Sequence, residues 1–176
     1  MMKLCDATLR PPNSADAEAI FAMNSDPQVM RWFPSPMTRA ESDSWLARMI
    51  EHQAEHGFTF CALDLPGAPC IGVVGLLNIP WQARFTPAVE IGWRIHPAWQ
   101  RQGLAEEAAR MVLAHAFKTL RLPEIVAFTA PGNTASWRLM EKLGMAADGE
   151  FEHPRLPEGH ALRTHLLYRI KAPPAP

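Results

Sequence analysis

The residue types with most chemical potential lie in Val89-Glu90-Ile91-Gly92-Trp93-Arg94-Ile95 and in Gln100-Arg101-Gln102-Gly103-Leu104-Ala105. In a strand, Val89, Ile91, Trp93 and Ile95 point one way, and Glu90, Gly92 and Arg94 the other. Gly92 removes a side chain beside Glu90, as where something must approach the backbone. Read on its own, Glu90 is equally a solvated charge at an open strand end. Gly103 stands just before a helix, whose N-terminal amides and dipole suit a pyrophosphate. Arg101 adds charge there, while Gly103 and Ala105 keep the approach clear. The loop is not a P-loop, because no Gly-Lys-Ser/Thr follows, and it lacks the three spaced glycines of a dinucleotide fingerprint.

A second pattern, His52-Gln53-Ala54-Glu55-His56, matches the H-x-x-E-H of a zinc peptidase. It falls in the last turn of a helix, where the dipole favours histidine, and no third ligand is placed near it in the sequence. Zinc hydrolysis is rejected, and no metal is expected. His96, His153 and His160 adjoin loops and read as solvated. The turn Leu156-Pro157-Glu158-Gly159 reads as a loop near the acceptor side.

The elements that must position these residues follow from caps and periodicity. Ala7-Thr8-Leu9 reads as the end of a first short strand, closed by Pro11-Pro12, and Asn13 or Ser14 caps a helix to about 23. Pro27 restarts a short helix carrying Trp32 and Phe33. Thr38-Arg39-Ala40-Glu41 is a capping box for a helix that runs to 56 and ends at Gly57, with Trp45, Leu46, Met49 and Ile50 on its apolar face. Residues 58–65 and 70–79 read as a hairpin, and 80–87 as a loop with exposed aromatics. A strand at 88–95, a helix at 104–120, a strand at 124–129, a helix at 133–143 and a strand at 162–170 complete a mixed α/β layer. Asn133 is a natural N-cap.

Length and composition bound the function. The 176 residues fit one domain, at 1–171, with a frayed Pro-rich tail at 172–176. A net charge of −1 removes the footprint of a nucleic-acid-binding domain. No apolar run is long enough for a membrane span, and Met1 to Asp6 lacks a signal peptide's core, so a cytoplasmic protein is expected. Cys5, Cys61 and Cys70 show no metal or redox spacing, and the latter two read as small buried hydrophobes.

Gln100-Arg101-Gln102-Gly103-Leu104-Ala105 resembles the Q/R-x-x-G-x-G/A acetyl-CoA signature of the GNAT superfamily of N-acetyltransferases. Glu90-Ile91-Gly92-Trp93 resembles the family's fourth strand. Asn133-Thr134-Ala135-Ser136, followed by Glu141-Lys142-Leu143-Gly144-Met145, resembles its N-x-x-S … K-x-G-[FM] segment. Leu9-Arg10-Pro11-Pro12, Asp26-Pro27-Gln28-Val29 and Trp32-Phe33-Pro34 look like the branch that acetylates ribosomal-protein N-termini (RimJ/RimL-like). The resemblance spans nearly the whole chain.

The resemblance implies a GNAT-like fold: a single mixed, mostly antiparallel sheet, splayed between its fourth and fifth strands, with helices on both faces. It implies acetyl-CoA (coenzyme A) as co-substrate and an amine acceptor, either a protein N-terminus or a small molecule. It places Trp93 and Ile95 backbone groups on the pantetheine and thioester, and amides of Arg101, Gln102, Gly103, Leu104 and Ala105 on the pyrophosphate. Asn133 would bond the pantetheine arm. Glu90 is the candidate base, the Ile95 amide would polarise the thioester, and Ser136 would assist the leaving thiolate. Many family members use a tyrosine acid, whereas Tyr168 lies away from the matching segment. Trp32, Phe33, Trp81 and Phe85 either line the acceptor pocket or are packing residues. The protein is expected as a monomer or homodimer. A contrasting reading is an acyl-CoA sensor without turnover, and the presence of Glu90 favours an enzyme.

Overall fold

The computed structural model describes residues 6–174; Cys5 and the tail residues Ala175 and Pro176 lie outside the described residues. Seven strands form a single sheet in the order β1-β2-β3-β4-β5-β7-β6. The strands are β1 (Thr8–Arg10), β2 (Phe60–Leu65), β3 (Ala68–Asn78), β4 (Val89–Ile95), β5 (Glu124–Thr129), β6 (Ala146–Glu152) and β7 (Thr164–Lys171). The helices are α1 (Ala17–Asn24), α2 (Arg39–His56), α3 (Leu104–Lys118) and α4 (Thr134–Lys142). Every strand pairing is antiparallel except β4 with β5. Among the described residues no helix is long and apolar enough to cross a membrane.

Local chemistry explains the helix boundaries. Thr38 caps α2 by accepting from the Glu41 amide (3.3 Å), while the Glu41 carboxylate accepts from the Thr38 amide (2.7 Å). Gly57 ends the helix in the left-handed conformation, with φ 78°. Asn13 caps a short 3-10 turn ahead of α1, and Asp16 completes a second capping box. Asp16 is buried, and Arg10 clamps it at 2.7 Å while reaching Asp64 of β2 at 2.7 Å. Burial pushes the Asp16 carboxyl up, but the Arg10 and Asn13 bonds outweigh it and leave the group below its ordinary range.

Helices cover both faces. Ile20 and Met23 of α1 and Trp45, Leu46 and Met49 of α2 pack on Ala62, Cys70 and Val73. On the other face Ala108, Ala109, Val112, Leu113 and Ala116 of α3 meet Leu63, Ile71, Val74, Leu76, Ile91 and Ile95. The alanines let α3 approach the sheet closely. Ile50, placed by periodicity on the apolar face of α2, lies at its rim and is 39% exposed. Cys70 is buried as expected, whereas Cys61 is half-buried; desolvation pushes the Cys61 thiol up to about 11 and the Cys70 thiol to about 12, which leaves both poorly reactive.

Two stretches differ from the sequence expectation. Residues 27–33 form turns rather than a helix. The Asp26 carboxylate accepts from the amides of Gln28 (2.7 Å) and Val29 (3.1 Å), a local turn that competes with helix. Strand β6 was not expected, because Ala146-Ala147-Asp148-Gly149-Glu150 has weak β propensity. It is an edge strand whose register with β7 shifts between Ala147 and Glu150, around Gly149 at φ 82°.

Gly75 and Gly92 form a notch across β2, β3 and β4, since Gly75 pairs with both Phe60 and Gly92. What approaches the backbone at Gly92 is the Phe60 ring, 2.8 Å from where a Cβ would stand. A Cβ at Gly75 would lie 2.1 Å from the Thr59 carbonyl oxygen and 2.6 Å from the Phe60 Cα. The first clash is with a movable ring edge and the second with backbone. Gly92→Ala should therefore cost about 1–2 kcal/mol and Gly75→Ala about 3 kcal/mol or more. Chemical denaturation of the two variants checks that order.

Candidate functional site

Strand β4 is bonded fully on one side only. It pairs with β3 along its whole length, from Gly72↔Ile95 to Asn78↔Val89, but meets β5 at the single pair Glu90↔Val126. The His96 amide donates to the Ile71 carbonyl (2.9 Å) and the Ala88 carbonyl accepts from Ile79 (3.0 Å). Even-numbered residues of β4 thus turn their backbone toward β3, and Ile91, Trp93 and Ile95 turn theirs toward β5. Beyond Glu90 the strands have parted, so the backbones of Trp93 and Ile95 border an open cleft. The Ile95 carbonyl already accepts from Gln100 Nε2 (2.9 Å), which leaves its amide as the polar group for a ligand. Gln100 was not singled out from the sequence, although it opens the 100–105 motif.

The loop at the end of β4 closes into α3 through left-handed residues, Arg101 at φ 61° and Gly103 at φ 81°. Glu107 is the first amide of α3 to meet the Gly103 carbonyl (3.1 Å). The amides of Leu104, Ala105 and Glu106 precede it and point out of the helix end. Gln102 donates through its side chain to the Ala98 carbonyl (3.2 Å), tying the loop together. Arg101, Gln102 and Gly103 are exposed. This arrangement fits a diphosphate: free amides, a positive helix end and a guanidinium on one small concavity.

Glu90 is half-buried on the opposite face of β4 from Ile91 and Ile95. Burial pushes its carboxyl up to about 7, against the opposing pull of the Arg94 and Arg155 charges. Arg94 donates to Asn24 Oδ1 (2.6 Å), and Asn24 in turn donates to Ser42 Oγ (3.0 Å). The Arg94 guanidinium lies 4.6 Å from the Phe33 ring centroid and 5.0 Å from that of Trp45. Burial lowers Arg94 to about 10, with Glu90 opposing the fall.

The four aromatic candidates separate. Phe33 stacks on Arg94. The Trp32 ring lies over Gly132, its Cη2 2.7 Å from where a Cβ would stand, beside Asn133. Phe85 is buried, 7% exposed, with Ile79, Val126 and Leu167, so it is packing rather than a pocket wall. The 80–87 loop folds inward because it has an aromatic cluster to bury into. Trp81 is half-buried against Phe85, Phe128 and Phe151.

Asn133 does not cap α4 through its side chain; its Nδ2 donates back to Thr129 Oγ1 of β5 (2.9 Å). Ser136 lies in the first turn of α4, with its amide on the Asn133 carbonyl (3.0 Å). Both residues therefore sit where β5 leaves the sheet beside the cleft. Tyr168 pairs with Ala127 on the α3 face, opposite Glu90, and its hydroxyl reaches Glu141 Oε1 (3.3 Å). Of the H-x-x-E-H residues, His52 uses both ring nitrogens on backbone, at Phe58 O (2.7 Å) and Asn78 N (3.2 Å). It ties α2 to the segment just before β2 and to the end of β3. His153, expected in solvent, packs 4.9 Å from Trp81 and 5.0 Å from His165.

Comparison with known proteins agrees with this geometry. The model of the acetyltransferase (GNAT) domain matches residues 6–146, and the chain belongs to that family. It is an N-acetyltransferase with the GNAT fold, and β4 and β5 meet at a single pair, as the splay implied by the resemblance requires. A probable N-acetyltransferase of Bacillus subtilis, YjcK, is 37% identical over 159 residues, 85% of each chain. Spermidine N(1)-acetyltransferase of Escherichia coli K12 is 25% identical over 82% of this chain and 75% of its own. A GNAT-family acetyltransferase structure from Bacillus anthracis superposes with a TM-score of 0.77, at 27% identity over 94% and 95% of the two chains. RimJ of Mycobacterium smegmatis, solved with CoA-disulfide, gives 0.75 at 25% identity over 94% and 82%.

The cradle before α3 makes its own prediction. Gly103→Ala forces an L side chain to φ 81°, at a cost of about 1 kcal/mol, and would turn the loop amides away from a diphosphate placed there. Calorimetric titration with coenzyme A should show roughly tenfold weaker binding, with the melting temperature little changed.

Proposed function

We propose that the protein transfers an acetyl group from acetyl-CoA to a primary amine, by direct attack within a ternary complex. The observation that carries this reading is Glu90, a carboxyl held near neutrality where β4 last touches β5. Amides of residues 101–105 take the pyrophosphate, and the free edge at Trp93 and Ile95 pairs with the pantetheine arm. Asn133 bonds that arm, and Ser136 faces the sulfur. The co-substrate supplies an activated thioester carbonyl. The acceptor is a protein N-terminal α-amine, as the RimJ/RimL-like motifs suggest, or a small-molecule amine, as the relative named spermidine N(1)-acetyltransferase suggests.

The steps balance without a metal or oxidant. An ammonium gives one proton to Glu90, directly or through a water, and becomes nucleophilic. Its nitrogen then bonds the acetyl carbon while the carbon–sulfur bond breaks, and the Ile95 amide faces the oxygen where charge develops. The second nitrogen proton ends on the departing thiolate, whose charge the Ser136 hydroxyl stabilises. Positioning of the two reactants supplies much of the acceleration.

With Glu90 at about 7, the rate at saturating acceptor should rise with pH through that value and then level. Glu90→Gln should lower it roughly 10²–10⁴-fold, abolish the inflection and leave coenzyme A affinity nearly intact. Stability moves the other way. A carboxyl raised from 4.5 to about 7 stabilises the fold fully below pH 4.5, and that contribution is lost as pH rises to 7. The Gln variant should therefore be more stable than wild type at pH 8, by up to about 3 kcal/mol. An unchanged rate would remove Glu90 from the mechanism.

A further inference from the structure

The sheet register joins Glu90 to a second cluster on the same face. Glu90 pairs with Val126, two residues from Phe128; Phe128 pairs with Leu167, two from His165; His165 pairs with Phe151, two from His153. Partners and alternate residues share a face, so one surface runs from the carboxyl to an aromatic patch. Trp81 roofs that patch, its ring 5.6 Å from Phe128 and 5.9 Å from Phe151. Phe128, Phe151, His153 and Trp81 are all only half-buried, so ring surface remains open. His153 is held down to about 4 by burial and the neighbouring His165 and Arg155, and so it adds a neutral ring, not a cation.

The charge around this surface is one-sided. Glu90 is flanked by Arg94 on its own strand and by Arg155 from the β6–β7 loop. Of the carboxylates on β5 and β6, Asp148 and Glu124 are held by Arg169 and Glu152 by Arg163 at 3.4 Å, while Glu150 pairs with Leu166 and so lies on the opposite face from Phe151. A polycation would meet two guanidiniums and a single available carboxylate. A monoamine with an aromatic group would place its ring on the patch and its amine at Glu90, and a neighbouring carboxylate or carbonyl would face Arg155.

Resting on the acetyltransferase reading above, we propose that the acceptor is an α-amine beside an aromatic side chain and an acyl oxygen: a free aromatic amino acid, or a peptide that begins with one. The reaction is the same acetyl transfer, with the α-nitrogen as nucleophile and coenzyme A as the leaving thiol.

The test is thiol release from acetyl-CoA with L-tryptophan, a tryptophan-initiated hexapeptide, 2-phenylethylamine and spermidine. The kcat/KM of tryptophan or its peptide should exceed that of spermidine at least 100-fold, and whichever of the two is faster identifies the source. Arg155→Gln, an exposed change, is measured at pH 9 so that Glu90 is ionised in both proteins. It should lower kcat/KM about tenfold for the acyl-bearing acceptors and less than twofold for 2-phenylethylamine. Trp81→Leu, which stays apolar but removes the ring, should raise KM for the aromatic acceptors with kcat little changed. Spermidine turned over within tenfold of the best aromatic acceptor, or equal losses in Arg155→Gln for all amines, overturns this proposal alone. Coenzyme A binding with no amine turned over, spermidine included, overturns the acetyltransferase reading with it.

Discussion

Beyond Glu90, strand β4 has a hydrogen-bonding partner on one side only, and the site is organised around that open edge. An unpaired edge in the middle of a sheet is ordinarily a liability, because its amides and carbonyls are desolvated without partners. Here the edge is held open by structure on both sides. Pairing with β3 along all seven residues of β4 fixes one margin, and the six-residue antiparallel ladder between β5 and β7 fixes the other. Gln100 covers the Ile95 carbonyl, and Trp32 leans on Gly132 at the far side. What remains is a narrow run of backbone that an extended ligand can complete as a strand would.

The same edge divides the chemistry between the two faces of the sheet. The α3 face carries the free helix amides and the left-handed turn at Arg101 and Gly103. The α1 and α2 face carries Glu90, whose ionisation is penalised by burial. Arg94 does not cancel that penalty, because its guanidinium is committed to Asn24 and sandwiched by Phe33 and Trp45. A full ion pair would have held Glu90 low and made it a poor proton acceptor at neutral pH. The buried Asn24–Ser42 pair thus acts on Glu90 through Arg94, by fixing where that charge sits.

Much of this was legible in the sequence. The capping box at Thr38 and Glu41, the stop at Gly57 and the alternation of β4 each depend on a few adjacent residues, and each appears as read. The harder features depend on residues distant in the chain. Strand β6 has little intrinsic preference for a strand and forms because β7 offers an edge. Phe85 and His153 look like loop residues until Phe128, Phe151 and Leu167 supply something to bury against. Gly92 signalled a close approach, but only the β2–β3–β4 register identifies the approaching group as Phe60. Asn133 has the right type for a cap, yet a hydroxyl in the preceding strand outcompetes its own helix.

Tyr168 shows why residue type alone does not assign a role. It is the one tyrosine in the chain, and the resemblance implied that many family members use a tyrosine as the acid. Its position in β7 pairs it with Ala127, which turns it to the face opposite Glu90, and its hydroxyl is engaged with Glu141 of α4. Burial and that carboxylate both push the phenol up, away from ready proton donation. Under the proposed chemistry a strong acid is less needed than in an oxygen-leaving reaction, because a thiolate is a weak base and departs readily. A hydroxyl at the start of α4 that donates one hydrogen bond is then sufficient. The balance of the site lies instead with the carboxyl that must accept a proton, which burial raises toward neutral pH.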